Sequence, residues 1–190
     1  MSRRSTPTRT STTQTVSRRG IGVPHPLAPY RYRLTRRLGE GSRSVAFVLL
    51  NPSTADRFDD DPTIRRCVGF ARCWGFDRLL VVNLFALRAT RPADLLLAPE
   101  PVGPGNDREI LRACRESEMV VLGWGNHGRH MGRGAIVRRR LARFAPRCLG
   151  VTNQGEPKHP LYLPGNAEPS PLPDLPAGAS LAAASSADGT

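Results

Sequence analysis

Four short apolar runs, each followed directly by a polar segment, constrain this chain more than any other feature. They are VAFVLL at 45–50, LLVVNL at 79–84, MVVLGW at 119–124 and RCLGV at 147–151. The runs are continuous rather than alternating, which is typical of strands covered on both faces. The pattern therefore predicts parallel strands buried between two layers.

Segments with helical spacing of apolar residues separate these strands. Asp61 and Pro62 form an N-cap and first-turn pair ahead of one helix, which Gly75 ends. Asn106 is predicted to cap a second helix, and a third begins near Gly134. This alternation predicts an α/β fold of three layers, with helices on both faces of a central, mostly parallel four-stranded sheet.

The flanking segments differ in composition from this core. Residues 30–38 alternate polar and apolar side chains, which favours an extra antiparallel edge strand. Residues 1–29 and 164–190 contain too few large apolar side chains to offset the entropy of ordering. We therefore predict a disordered basic arm at 1–29, a single α/β domain at 30–163 and a disordered Pro/Ala-rich tail at 164–190.

The formal net charge of +12 is unevenly distributed. Residues 1–44 carry +9, residues 45–163 carry +6, and residues 164–190 carry −3. Neutralising phosphates releases counterions, so this balance favours DNA or a nucleotide as the partner. The alternative is that arginine is simply the ordinary surface cation of a chain with one lysine.

Other classes of protein are disfavoured. No window has the length and apolar character of a membrane span, and the N-terminus lacks the apolar run of a signal peptide. The four cysteines show no CxxC spacing and lie among apolar residues. We expect a cytoplasmic monomer that needs no cofactor and no metal.

The segment after the first strand begins Asn51-Pro52-Ser53. Pro52 holds the backbone extended, and Asn51 can project its amide toward a ligand. The alternative is a local turn, because Ser53 and Asp56 have the spacing of a capping box. The acidic run at 59–61 is able to hold magnesium. The favoured interpretation is that the run starts a helix, with Asp61 as the N-cap.

Asn83 ends the second strand. Its amide offers a donor and an acceptor, as reading a base edge requires, and Arg88 and Arg91 shortly after it suit phosphate. The alternative is an asparagine that satisfies loop backbone groups.

The motif GWGNHGR at 123–129 follows the third strand. Its glycines allow close backbone approach, and its tryptophan can either stack on a base or fill the core. The motif lacks the ending of a Walker loop and the GxGxxG fingerprint. The candidates here are Trp124, Asn126 and His127 for substrate, and Arg129 and Arg133 for a nucleic-acid backbone.

The motif KHPLY at 158–162 follows the fourth strand. His159, fixed by Pro160, is placed to donate toward a leaving group, and Lys158 suits phosphate. A loop histidine without function is the alternative. All four motifs follow carboxyl ends of predicted parallel strands, where ligands bind in open sheets, and this position favours a functional role.

Taken together, VLLNPSTAD, VVNLFALRAT, GWGNHG and KHPLYLP closely resemble the family known as domain of unknown function 1643, over about residues 30–163. That resemblance implies no activity. More distantly, the order of motifs is similar to the uracil-DNA glycosylase superfamily. The similarity implies a glycosylase-like fold, with Asn51-Pro52 positioning water, Asn83 reading the base and His159-Pro160 after the last strand.

The chain also departs from that superfamily. Ser53 and Thr54 replace the glycine or aromatic residue that follows the proline there, and Leu161 replaces a serine. The cysteine spacing does not match the iron–sulfur ligands of the thermostable branch of that superfamily, so we expect no iron–sulfur cluster.

The leading hypothesis is a glycosylase-like enzyme acting on a nucleobase in DNA or on a nucleoside, with Asn51 and His159 catalytic. His159 would donate to the departing base while Asn51 orients a water. One alternative is a non-catalytic nucleic-acid or nucleotide-binding domain. Another is a metal-dependent nucleotide hydrolase or transferase, with Asp56 or Asp59 holding the metal.

Overall fold

The structure is a computed structural model, and it describes residues 29–53, 55 and 59–173. The predicted arm, apart from its last residue, and the end of the predicted tail lie outside these residues. Residues 164–173, which the sequence assigned to the tail, are described and add a strand to the sheet. The sheet therefore includes residues beyond position 163.

A six-stranded mixed sheet forms the centre of the domain. Its strands are β1 (Leu34–Arg37), β2 (Ser44–Leu49), β3 (Arg78–Asn83), β4 (Met119–Leu122), β5 (Arg147–Cys148) and β6 (Ser170–Pro171). They lie in the order β1-β3-β2-β4-β5-β6. The neighbours β3–β2, β2–β4 and β4–β5 are parallel, whereas the two outer strands pair antiparallel.

The predicted α/β class is confirmed, but the sheet is larger than the four strands and single edge strand expected. Strand β6 was not predicted because it has two exposed residues, Ser170 and Pro171, and therefore no apolar signature. Its proline is tolerated because an edge strand does not need every backbone N–H for pairing.

Helices cover both faces of the sheet. They are α1 (Pro62–Cys73), α2 (Pro92–Leu96), α3 (Asn106–Arg115) and α4 (Arg133–Leu141). Side chains of β2 alternate between two apolar clusters, one shared with α1 and the other with the remaining helices. Every residue of β2 is buried, which explains why this strand is a continuous apolar run. Across the described residues, each helix is too short or too polar to cross a membrane.

The start of α1 is as predicted, whereas the start of α3 is not. Asp61 caps α1 by accepting a hydrogen bond of 2.8 Å from the backbone N–H of Ile64. Gly105, not Asn106, is the N-cap of α3. The side chain of Asn106 turns inward and donates to the carbonyls of Asn83 and Leu84, each at 3.0 Å. Carbonyls that emerge from a buried strand need donors, and this need outweighs capping.

Several arginines near the N-terminus are engaged inside the domain. Arg33 is buried and forms ion pairs with Glu109 and Glu116. Arg36 is buried too, and it donates to the carboxylate of Asp60 over 2.7 Å. These contacts fasten β1 to the rest of the domain. Part of the basic charge therefore serves the fold rather than a partner.

The strand order locates the place where a ligand would bind. After β2 the chain crosses to β3 on one side, and it later returns to β4 on the other side of β2. In open α/β sheets, the crevice beyond the carboxyl ends of the strands at such a reversal is the usual ligand site. The segments that follow β2 and β4 flank this position.

Candidate functional site

Asn83 is the last residue of β3, and its side chain is on the sheet face that carries α1. It is 3% exposed. Its backbone carbonyl accepts a hydrogen bond from Asn106, but among the described residues nothing hydrogen-bonds to its carboxamide. The enclosed side-chain polar atoms that lack a partner do not include those of Asn83, so its carboxamide keeps a small contact with solvent. A ligand that enters from that side can bind to its donor and acceptor atoms.

Asn51 lies two residues beyond β2 and joins two of the strand-end loops. Its Nδ2 donates to the carbonyls of Pro52 and Ala89, at 2.9 and 2.7 Å. The backbone N–H of Ala89 in turn donates to the Pro52 carbonyl, 3.0 Å away. These bonds fix the orientation of the amide. Within the described part of the chain its Oδ1 receives no hydrogen bond, which leaves it available to accept one from a water.

His159 caps the short 3₁₀ turn Pro160–Tyr162. Its Nδ1 accepts a long hydrogen bond, 3.4 Å, from the backbone N–H of Leu161. In a neutral imidazole, an accepting Nδ1 places the proton on Nε2. His159 therefore offers a single N–H donor away from its own turn.

A glycine at the end of β4 allows the turn that carries His159 to pack closely against this strand. A Cβ on Gly123 would lie 2.9 Å from Cδ of Pro160 and 3.2 Å from the carbonyl oxygen of Lys158. Only glycine leaves room for the proline ring there. The same turn contacts α1 on the neighbouring side.

Burial lowers the pKa of His159, and the nearby carboxylate of Asp61 acts in the opposite direction. The imidazole is therefore neutral at pH 7. Asp61 is itself buried, with its oxygens accepting from the N–H groups of Ile64 and Ala55. The sequence identified Asp61 only as a helix cap. Nothing in the acidic run indicates that it also lies close enough to influence a histidine almost a hundred residues later.

The lowered pKa of His159 predicts a pH dependence of stability. The folded pKa lies below the ordinary value of 6.5, so the unfolded chain protonates first as the pH falls. The stability contributed by the neutral ring is complete above the unfolded pKa, and it is lost as the pH decreases through the folded pKa. Between about pH 7.5 and about pH 5.5, the unfolding free energy should therefore fall more for the parent protein than for His159→Gln. Urea denaturation measures both, and parallel curves would contradict the assignment.

The three residues follow the ends of adjacent strands. Asn83 ends β3, Asn51 follows β2, and His159 is held at the end of β4 through the contact between Gly123 and Pro160. Neighbouring strands lie about 4.8 Å apart, so these three ends span roughly 10 Å. Asn51, Asn83 and His159 therefore lie together at the carboxyl ends of the central strands. We call these three residues the candidate site.

Trp124 lies on the opposite face and fills the core. It is 1% exposed, and its Nε1 donates to the carboxylate of Glu156 over 2.7 Å. A Cβ on Gly128 would lie 1.9 Å from the indole Cδ1, and one on Gly134 would lie 3.0 Å from Nε1. These two glycines therefore allow the backbone to pack closely against the indole. Of the two predicted roles for Trp124, its position matches core packing.

The remaining polar residues of the GWGNHGR motif stabilise a neighbouring turn. Oδ1 of Asn126 accepts a hydrogen bond of 2.6 Å from Thr152, and Arg129 donates to Gln154 over 3.1 Å. His127 is exposed. The motif is thus fastened to residues 152–156 more than it is turned toward the candidate site.

The predicted phosphate-binding residues fall into two groups. Arg133 is 5% exposed; it donates to the Leu84 carbonyl over 3.0 Å and forms an ion pair with Asp107. It supports the end of β3 from within, so its guanidinium is not presented to solvent. The sequence could not show this because arginine patterns on a helix do not reveal contacts to a strand. At the surface, Lys158 is exposed, Arg88 is half-buried, and the exposed Arg91 pairs with Asp94 over 2.8 Å.

Pro52 is buried and Ser53 half-buried beside Asn51. Asp60, in the acidic run, is paired with Arg36. In the described part of the chain, no three His, Cys, Asp or Glu side chains come together in a way that could hold a metal ion. Asp56, one acid of the metal hypothesis, lies outside the described residues.

Tyr162 was not predicted as a functional residue. Its side chain is 82% exposed, and the centroid of its ring lies 5.7 Å from that of His159. The sequence shows only that an aromatic residue follows the His-Pro pair. Whether such a ring turns inward or outward depends on packing that the local sequence does not encode.

Comparison with known proteins identifies a family. The model of the family described as "Protein of unknown function (DUF1643)" matches residues 31–161. No curated protein and no solved structure matches the chain.

Proposed function

The chain belongs to the DUF1643 family, and because that membership brings no activity with it, we propose a function from the site itself: cleavage of the N-glycosidic bond between a nucleobase and its sugar, in DNA or in a nucleoside. The proposal extends the distant similarity of the motifs to the uracil-DNA glycosylase superfamily. It is supported by the contacts of three side chains.

The observation that carries the proposal is the carboxamide of Asn83, which is almost buried at the end of β3 and makes no hydrogen bond to a described residue. A carboxamide presents one acceptor beside two donors, and this arrangement complements the edge of a nucleobase. Asn83 therefore has the chemistry of a base-reading group.

His159 has the chemistry of the leaving-group donor. When the bond between the sugar and the base breaks, its electron pair leaves with the base, and the sugar becomes cation-like. An N–H placed at the base stabilises the negative charge that develops there. The neutral ring of His159, with its proton on Nε2, supplies such a donor, and solvent then protonates the released base.

Asn51 completes the reaction by placing the water. Its amide is held by two carbonyls, so its Oδ1 can accept a hydrogen bond from a water in a fixed position. An asparagine cannot remove a proton at neutral pH. The water therefore adds to the sugar after the cation has formed, its oxygen bonding to the anomeric carbon and its proton passing to solvent. The mechanism is dissociative.

The basic charge of the chain supports a substrate that carries phosphate. The net charge is +12, and Lys158 beside His159 is exposed. A phosphodiester next to the target nucleotide would find a cation close to the site.

A direct screen tests the proposed function. The purified protein is incubated with oligonucleotides that contain uracil, hypoxanthine or another modified base, and with the matching nucleosides, and abasic product or free base is quantified. We expect release from at least one substrate, with no loss on adding EDTA. DNA binding without release from any substrate would replace the enzyme by a non-catalytic binding domain. Release that EDTA abolishes would favour the metal-dependent alternative.

A further inference from the structure

A groove runs along α1, between this helix and the segment 161–165. It has a volume of about 370 Å³, and its lining includes Arg65, Arg66, Gly69, Leu161 and Gly165. Residues 62, 66, 69 and 73 of the helix line it because this spacing places side chains on one face. We call this feature the α1 groove.

The α1 groove carries positive charge that the domain does not neutralise. Among the described residues, the guanidinium of Arg66 makes no hydrogen bond or ion pair, and Arg65 donates only to the backbone carbonyl of Asp60. Arg33, elsewhere in the domain, is instead paired with carboxylates. Two cations without a carboxylate between them, on the walls of one groove, are the arrangement that binds an anion.

Gly69 indicates that the groove is kept open. A glycine inside a helix destabilises that helix relative to alanine. Nothing within 4 Å would contact a Cβ at this position, so packing does not require glycine there. What the missing side chain does provide is an unobstructed floor for the groove.

The groove leads to the candidate site through an exposed aromatic ring. Leu161, in its wall, is followed by Tyr162, whose 82% exposed ring lies 5.7 Å from that of His159. Proteins that bind single-stranded nucleic acid combine a cationic groove, which follows the phosphates, with aromatic rings on which bases stack. A duplex would leave such a ring unused, because its bases already stack on each other.

We propose that the α1 groove binds the backbone of single-stranded DNA beside the nucleotide whose base enters the candidate site. Arg65 and Arg66 contact its phosphates, and Tyr162 stacks on the adjacent base. The inference rests on the proposed function, because it assigns the substrate of that function to single-stranded DNA.

Binding of a fluorescein-labelled twelve-nucleotide oligothymidylate to the full chain, followed by anisotropy, tests the α1 groove. Arg66→Glu and Gly69→Gln should each weaken binding about tenfold, and Arg66→Glu should lower the salt dependence by about one phosphate contact. Tyr162→Ala should also weaken binding about tenfold, because one stacked base is lost.

Two matched variants serve as controls. Gly69→Ala leaves the groove open, and Arg115→Glu makes the same charge change at the exposed end of α3, on the opposite face of the sheet. Both should change the affinity less than about twofold. Thermal melting followed by circular dichroism verifies that each variant is folded.

The proposal is overturned if the parent does not bind the oligonucleotide, or if Arg66→Glu and Gly69→Gln bind like the two controls. The proposed function fails on a different measurement, the release of base. Groove-dependent binding without base release would reject the enzyme and retain the groove. Release of base from nucleosides or duplex DNA at a rate that the groove variants do not change would retain the enzyme and reject the groove.

Discussion

Replacing His159 with alanine should slow base release by about 10²- to 10³-fold, the usual cost of losing one donor aimed at developing charge. On the proposed mechanism its Nε2–H is the donor to the departing base, and the turn that carries it packs at the end of β4, next to the strand ends that carry Asn51 and Asn83. The measurement is the single-turnover rate of abasic-site formation on the substrate that the screen identifies. Binding of that substrate should change far less than the rate, because the donor acts mainly in the transition state.

Two further variants make this result specific. Asn51→Ala should lower the rate less than His159→Ala does, because Asn51 orients a water that adds after the bond to the base has broken, whereas His159 stabilises the charge that develops while it breaks. Asp59→Ala is the control in the acidic run, since this exposed residue has no role in the proposed reaction. An Asp59→Ala protein that loses activity while His159→Ala keeps it would reject the mechanism in favour of metal-dependent chemistry.

Trp124→Ala should lower the free energy of unfolding by about 3–5 kcal/mol, the range for removing a large aromatic side chain from a core. The indole is 1% exposed and packs directly on Gly128 and Gly134. Its loss also leaves the carboxylate of Glu156 without its donor. Urea denaturation followed by circular dichroism measures the change.

Trp124→Phe is the matched control for this prediction. It retains most of the packing but not the hydrogen bond to Glu156, so its cost should lie well below that of alanine. If alanine were tolerated with a loss below about 1 kcal/mol, the indole would not be a core residue. It would then have to be reconsidered as a surface for stacking a base.

The central strands could be predicted from the sequence because burial on both faces imposes continuous apolar runs, as in β2. The N-cap at Asp61 was predictable for a related reason, since capping depends on neighbours in the chain. The same local rules failed at Asn106, where the unsatisfied carbonyls of Asn83 and Leu84 attract its amide. Those carbonyls are more than twenty residues away in sequence, so no local pattern could reveal the contact.

The candidate site was predictable to a similar extent. A polar residue directly after a buried strand indicated Asn51 and Asn83, and a proline-fixed turn indicated His159. Side-chain direction was beyond the reach of the pattern, since Trp124 also follows a strand and yet faces the core. Arg133 and Tyr162 show the same limit in opposite directions: a charged side chain is buried, and an aromatic one is exposed.

Because Pro160 packs on Gly123, the turn that carries His159 can take its place only after the end of β4 has been synthesised. Asn51 and Asn83 emerge early, but β2 keeps an open edge until β4 is synthesised, and His159 arrives only after β5. Domains generally fold as units during synthesis, and the segment that carries His159 is needed to complete this one. On the proposed mechanism, a translation product that stops anywhere between 123 and 158 includes the three central parallel strands but lacks the donor, so its base release would be slower by at least about 10²-fold. On that mechanism, efficient base release begins only when the segment that carries His159 has been added.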